Sequence, residues 1–174
     1  MKKAYSCVLL FGLFFCANTI ASDTTGPYFG LKYGRIEGSI FLSSESMSAV
    51  TLGYDFGRFG LEYEQIRGKF TELPPFVILG PTPSNSERTT FKVRGDGLFA
   101  TYRLGRTWNF KSKIGVMDQN FKPDYLNDDG LKFATGVGLG IDWTYVRLDF
   151  DATYVKDGNS YLSAGLLFKI DISD

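Results

Sequence analysis

Leu131 to Trp143 reads LKFATGVGLGIDW, and the fold follows from how its residues alternate. Large apolar side chains stand at Leu131, Phe133, Val137, Leu139, Ile141 and Trp143, while Lys132, Ala134, Gly136, Gly138, Gly140 and Asp142 fill the places between. A period of two is the mark of a strand, here with one greasy face and one face that is small or polar. Glycine weakens a strand interior and often marks a close approach. Three glycines on one face therefore imply that this face looks into a narrow space.

The segments that follow say which face is inside. Val146, Leu148, Phe150, Ala152 and Tyr154 alternate with Tyr145, Arg147, Asp149, Asp151 and Thr153, and Leu162, Ala164, Leu166, Phe168, Ile170 and Ile172 alternate with Ser163, Gly165, Leu167, Lys169 and Asp171. Apolar faces opposed to charged, glycine-lined ones, on strands long enough to cross a bilayer at a tilt, read as a transmembrane β-barrel with lipid outside and a polar lumen. The fold class expected is all-β: an eight-stranded antiparallel up-and-down barrel. Its other strands are expected over Tyr28 to Glu37, Ser48 to Phe56, Phe59 to Phe70, Thr89 to Leu104 and Phe110 to Met117, with a bulge or kink at Asp96-Gly97.

Connection lengths alternate. Short turns at Gly57-Arg58, Gly105 to Asn109 and Trp143-Thr144 contrast with longer stretches at Gly38 to Met47, Thr71 to Arg88 and Asp118 to Asp129. Periplasmic turns and extracellular loops differ in this way, and Phe56, Phe59, Trp108, Trp143 and Tyr145 beside the short turns fit an aromatic girdle.

The start of the chain reads as an address. Lys2-Lys3, an apolar core from Val8 to Phe15 and the small-residue site Thr19-Ile20-Ala21 make a secretory signal peptide over residues 1–21, which leaves 22–174 as the barrel domain. Phe15 before Cys16 is too large for a lipid-attachment site. Cys7 and Cys16 depart with the signal, so the exported chain has no disulfide. It keeps 17 basic and 19 acidic residues, a charge of −2 that gives no reason to expect a nucleic-acid partner.

The pattern resembles the small eight-stranded outer-membrane β-barrels of Gram-negative bacteria, of the OmpA-transmembrane and OmpX/opacity-protein type. PYFGLKYG, FATGVGLGIDW with YVRLDFDATY, and YLSAGLLFKI carry the resemblance. It implies outer-membrane localisation, a monomer, contact with outer-membrane lipid and lipopolysaccharide, and delivery by barrel-insertion machinery. The chain departs from the family at its end, where Phe168 is followed by Lys169 to Asp174 instead of standing last.

Inward positions collect Lys32, Arg103, Lys111, Lys113, Lys132, Arg147 and Lys169 against Asp55, Glu62, Glu64, Asp142, Asp149, Asp151 and Asp171. An eight-stranded barrel is only wide enough for side chains to fill it, so the expected result is a plug of mutual ion pairs. A narrow ion channel is the alternative, and a soluble periplasmic barrel holding an apolar ligand is another. Catalysis is not expected. No histidine exists for a Ser–His–acid arrangement, and the Asp149/Asp151 pair has Arg147 beside it as neutralising partner. The glycine spacing of GVGLG does not suit a phosphate loop, and Asn127-Asp128-Asp129-Gly130 puts Tyr125 at the first ligand position of a calcium loop, so neither metal nor cofactor is expected.

The surface supplies the remaining candidate. TELPPFVILGPTPSNSER is stiffened by prolines and apolar at its centre. Pro74, Pro75, Phe76, Val77, Ile78 and Leu79, joined by Phe121 and Tyr125 of the next long loop, form the expected contact patch for a host, phage or neighbouring-cell surface. The function expected is structural or cell-surface interaction, by adhesion or recognition through the loops.

Overall fold

Every segment with the period-two pattern is a strand. The computed structural model describes residues 25–37, 45–72, 89–122, 130–156, 160–170 and 172. Its elements are β1 (Thr25–Glu37), β2 (Glu45–Phe56), β3 (Phe59–Glu72), β4 (Thr89–Gly105), β5 (Trp108–Lys122), β6 (Gly130–Asp142), β7 (Val146–Val155) and β8 (Ser160–Lys169). Each strand pairs antiparallel with the next, and β8 returns to β1 from Tyr28↔Lys169 to Glu37↔Ser160. The sheet is a closed barrel with no free edge, and β-structure can cross hydrocarbon only in this form.

Charge lies inside and apolar side chains outside. Leu31, Leu139 and Phe150 are 68%, 59% and 47% exposed, whereas Glu62 and Arg147 are fully buried in the lumen. A water-soluble barrel would be the reverse, and the soluble reading with greasy faces inward is thereby overturned. The shortest strands, β7 and β8, have 10 residues. At about 3.4 Å per residue and a tilt near 45° they rise about 24 Å, which matches the apolar band of a membrane barrel.

The two ends differ. The turns at 57–58, 106–107 and 143–145 share one end with the start of β1 and the finish of β8. Phe56 and Phe59 face each other across the first turn, where Gly57 takes a φ of 75° that a side chain would resist. Phe56, Phe59, Trp108, Trp143 and Tyr145 are all exposed around this rim as a girdle, and rings pair at 4.6 Å (Tyr54–Phe56) and 5.0 Å (Phe59–Tyr102). At the opposite end β3, β4 and β5, with 14, 17 and 15 residues, are the longest strands, paired as far as Glu72↔Thr89 and Lys92↔Lys122.

Several boundaries differ from the sequence reading. β5 continues past Met117 through Asp118, Gln119 and Asn120, so Phe121 belongs to a strand, opposite Val93, and not to a loop. Asp96-Gly97 forms no bulge, because pairing to β3 and to β5 runs through it without a slip. Gly97 is small because the Phe99 ring lies where its side chain would go. β8 ends at Lys169, but Ile170 N–H and Ile172 N–H still donate to the carbonyls of Pro27 (2.9 Å) and Thr25 (3.2 Å). Phe168 keeps the outward register and stacks on Phe29 at 5.5 Å across the closing seam.

That seam is tight at Gly34, where an added Cβ would overlap the carbonyl oxygen of Leu162 and stand 2.6 Å from Ser163 Cα. Backbone cannot swing aside as a flexible side chain can. Gly34→Val is expected to lower stability by about 2 kcal/mol or more, read as a drop in the temperature at which the compact gel form converts to the unfolded one. Gly95→Ala, whose Cβ would meet Met117 Sδ at an ordinary 3.5 Å, is expected to stay within about 0.5 kcal/mol of the parent.

Candidate functional site

The glycine face of β6 is the floor on which the lumen is built. A Cβ at Gly136 would press on the Lys113 stem (2.9 Å to Cε), at Gly138 on the Asp151 carboxylate, and at Gly140 on Asn109 (2.7 Å) and Asp149 (2.9 Å). The narrow space inferred from those glycines is therefore filled by side chains from β5 and β7.

Those side chains form one ion-pair network. Lys32 Nζ lies 2.5 Å from Asp151, 3.3 Å from Glu62, and against Glu64. Lys111 Nζ bridges Asp149 (2.7 Å) and Asp151 (2.8 Å), with Glu62 at 3.5 Å. Lys113 meets Glu64 at 2.7 Å and lies over the Phe99 ring at 4.5 Å. Toward the short-turn end, Arg103 pairs with Asp55 at 2.6 Å, and Arg147 with Asp55 (3.0 Å) and Asp142 (2.8 Å). Lys169 completes that level at 2.6 Å from Asp142, which also accepts from Asn109. Tyr28 joins the levels: its hydroxyl donates to Glu62 at 2.8 Å, while both guanidinium groups lie within 5.6 Å of its ring centre.

Glu62 is the hub. Within 4 Å it has Lys32, Lys111, Lys113 and Arg103, and it is wholly buried. The network holds six cations and six anions. Each buried ion forfeits several kcal/mol of hydration, and near-ideal pairing is what offsets that cost.

Most of the residues expected in the lumen meet here: Lys32, Asp55, Glu62, Glu64, Arg103, Lys111, Lys113, Asp142, Arg147, Asp149, Asp151 and Lys169. Lys132 lies toward the other end of the bore. It has the inward parity but sits above Ala134 toward the loop end of β6, half-buried. Asp171 lies outside the described residues. The neutralising partner of Asp149 and Asp151 is Lys111 and not Arg147, because Arg147 is committed to Asp55 and Asp142. The carboxylates of Glu62, Glu64 and Asp151 lie close enough together to hold a metal, but the Lys32 ammonium occupies their meeting point.

The loop half of the lumen was not foreseen. Above the ions, Ile36, Met47, Ile66, Val93, Phe99, Met117, Val155 and Tyr161 form an apolar collar, all nearly inaccessible. The Gln119 amide donates to the Tyr161 hydroxyl within it. Carrying the inward parity past Lys32 to Ile36, or past Glu64 to Ile66, is the signal that would have found it. Of the expected contact patch, Pro74, Pro75, Phe76, Val77, Ile78, Leu79 and Tyr125 lie outside the described residues, as does the side chain of Phe121.

Neither a protein-family model nor a curated protein matches the chain. Among solved structures, Ail, the attachment invasion locus protein of Yersinia pestis, in complex with the heparin analogue sucrose octasulfate, is similar over 85% of this chain and 98% of its own, at 11% identity and a TM-score of 0.50. Neisserial surface protein A is 16% identical over 87% of this chain and 99% of its own, with a TM-score of 0.47. The N-terminal β-barrel domain of Pseudomonas aeruginosa OprF is 14% identical over 87% and 100%, also at 0.47. At these identities the likeness is one of fold, and the eight-stranded antiparallel barrel expected from the sequence is what is found.

The balance of the network makes a sharp expectation. Glu62→Gln removes the hub charge and leaves six buried cations facing five anions, which is expected to cost about 3–5 kcal/mol in urea unfolding from micelles. The double change Lys113→Met with Glu64→Met keeps the lumen neutral. It is expected to cost less than the two single changes summed, by about 1 kcal/mol or more of coupling.

Proposed function

We propose that this chain is an outer-membrane barrel of a Gram-negative bacterium whose lumen is a structural plug and whose biological role is contact at the cell surface. The carrying observation is the filled lumen, where the neutral ion network occupies the short-turn half and the apolar collar the loop half. An ion path needs water-lined continuity, and both halves of this bore are filled by packed side chains. What the barrel offers to other molecules is therefore its rim and its outer wall.

The membrane assignment is supported by the belt of exposed apolar residues on all eight strands and by the aromatic rim at the short turns. That end, with both strand termini, faces the periplasm in this reading. The longer connections then face outward, and the one from 73 to 88, with Pro74, Pro75 and the apolar run Phe76 to Leu79, is the first candidate for recognition of another surface.

The test combines three measurements. Outer-membrane recovery and a gel-mobility shift on boiling are expected of the full chain, and purified protein in planar bilayers is expected to show no stepwise conductance. Reproducible single-channel steps would replace the plug by a pore. Deleting Pro74 to Pro83 is expected to leave the heat-shift intact while lowering adherence to host cells or phage adsorption at least about tenfold. An unchanged surface phenotype would remove the recognition role from this loop.

A further inference from the structure

The upper edge of the apolar belt does not run level around the barrel. Followed from partner to partner, Thr25 leads through Phe56, Phe59, Tyr102, Ser112, Val137, Ala152 and Leu162 back to β1 at Arg35, ten residues beyond its start. Register rows therefore climb the barrel axis as they pass from β1 towards β8. With about 2.4 Å of rise per residue on strands tilted near 45°, the climb is about 3 Å per strand.

The edge of the belt follows one such row. Gln65 of β3 is in register with Asp96 of β4, Asp96 with Asp118 of β5, and Asp118 with Leu131 of β6. All four are outward positions, and β3, β4 and β5 turn polar at this row. Below it stand the exposed Tyr63, Leu98 and Val116, and above it on β3 and β4 stand Arg67 and Arg94. On β6 the row meets Leu131, 71% exposed, with Phe133 beneath it. The belt therefore reaches about 10 Å higher on β6 than on β3.

Thr135 is level with Gln65, because four residues down β6 from Leu131 cancel the climb over three strands. The two are built for different surroundings. Thr135 returns its hydroxyl to the Lys113 carbonyl (3.2 Å), so its polar hydrogen is satisfied within the wall. Gln65 belongs to an exposed polar cluster: its amide donates to Asp96 (3.1 Å) and its oxygen accepts from Arg67 (3.3 Å). Asp96 also lies in the field of Arg67 and Arg94. The lower rim shows no such step. The same count along the row through Phe59, Tyr102, Ser112 and Val137 makes Phe59 level with Ile141.

We propose that the barrel stands upright in an uneven bilayer, whose outer-leaflet hydrocarbon is about 10 Å lower against β3 than against β6. A flat leaflet drawn at Leu131 would put the Gln65–Asp96–Arg67 cluster in hydrocarbon. One drawn at Tyr63 would leave Phe133 and Leu131 in water. Charge in hydrocarbon costs far more than an ångström of mismatch does, so the lipid adjusts and the protein does not. Leaning the barrel would also lower the leaflet at β3, but it would carry the level aromatic rim out of plane. The step deepens the surface-contact reading, because the hairpin that bears the 73–88 connection is the one whose wall leaves the hydrocarbon first.

The step rests on the membrane reading, and spin-label depth separates the two. The full chain, with Cys7 and Cys16 changed to serine, receives single cysteines as Gln65→Cys, Thr135→Cys, Phe59→Cys or Ile141→Cys. Each is labelled with a nitroxide and folded into phosphatidylcholine vesicles, and depth is read from collisions with oxygen against a water-soluble nickel chelate. The labels at 59 and 141 are expected to agree within about 3 Å, while the label at 135 lies at least about 5 Å deeper than that at 65. Arg67→Cys and Phe133→Cys, one outward position higher on each strand, are expected to repeat the difference without disturbing the Gln65–Asp96 bond. Equal depths in both upper pairs overturn the step and leave a flat bilayer around the barrel. A difference at the upper pairs matched by an opposite one between 59 and 141 shows a leaning barrel, and also overturns it. Labels that all collide with the chelate and never prefer oxygen refute the membrane reading, and the step with it.

Discussion

Electroneutrality inside a closed tube is the constraint on which this structure depends. Backbone hydrogen bonding fixes eight strands around a bore that only side chains can fill. Once ionised groups are used as the filling, each must find its opposite within the bore. Glu62 shows the result most plainly, with four cations and a tyrosine hydroxyl around one carboxylate. The glycines of β6 follow from the same demand. They are absent side chains, and their absence makes room for Lys113, Asp149 and Asp151 on the two neighbouring strands.

The lumen is built in two materials. Ions fill the half nearest the short turns, and the apolar collar with its Gln119–Tyr161 bond fills the half beneath the loops. The collar screens the ions from water on the loop side, which strengthens their mutual attraction and also raises the cost of any uncompensated charge. The two halves therefore support one another.

Much of this was legible in the sequence because an apolar outer wall around a charged bore imposes a period of two on every strand. Leu139 and Phe150 announce the outer face as clearly as Asp149 and Asp151 announce the inner one. Legibility stopped where the lipid stops. Asp118, Gln119 and Asn120 of β5 stand where no greasy face is required, so a strand there looks like a loop. Ile36 and Ile66 are apolar on the inward side, and composition alone cannot tell them from lipid-facing residues. Partner choice also depended on register. Arg147 is the sequence neighbour of Asp149, yet same-face neighbours along a strand are about 6.7 Å apart, and the long Lys111 side chain of β5 reaches Asp149 and Asp151 of β7 across the glycines of β6. Lys69 and Lys92 stand in one row only because β3 and β4 pair as they do.

In the membrane reading the outer wall and the inner wall are under unequal demands, because one is wetted by a fluid and the other is packed as a solid. Hydrocarbon chains rearrange around whatever apolar shape they meet, so Leu31, Leu139 or Phe150 can be exchanged for another greasy residue with little consequence. A lumen residue has fixed neighbours that must change with it. Descent from a common barrel would then proceed by free single exchanges on the lipid face and by rare, compensated exchanges within. Two such lineages would come to share an architecture while keeping few identical residues.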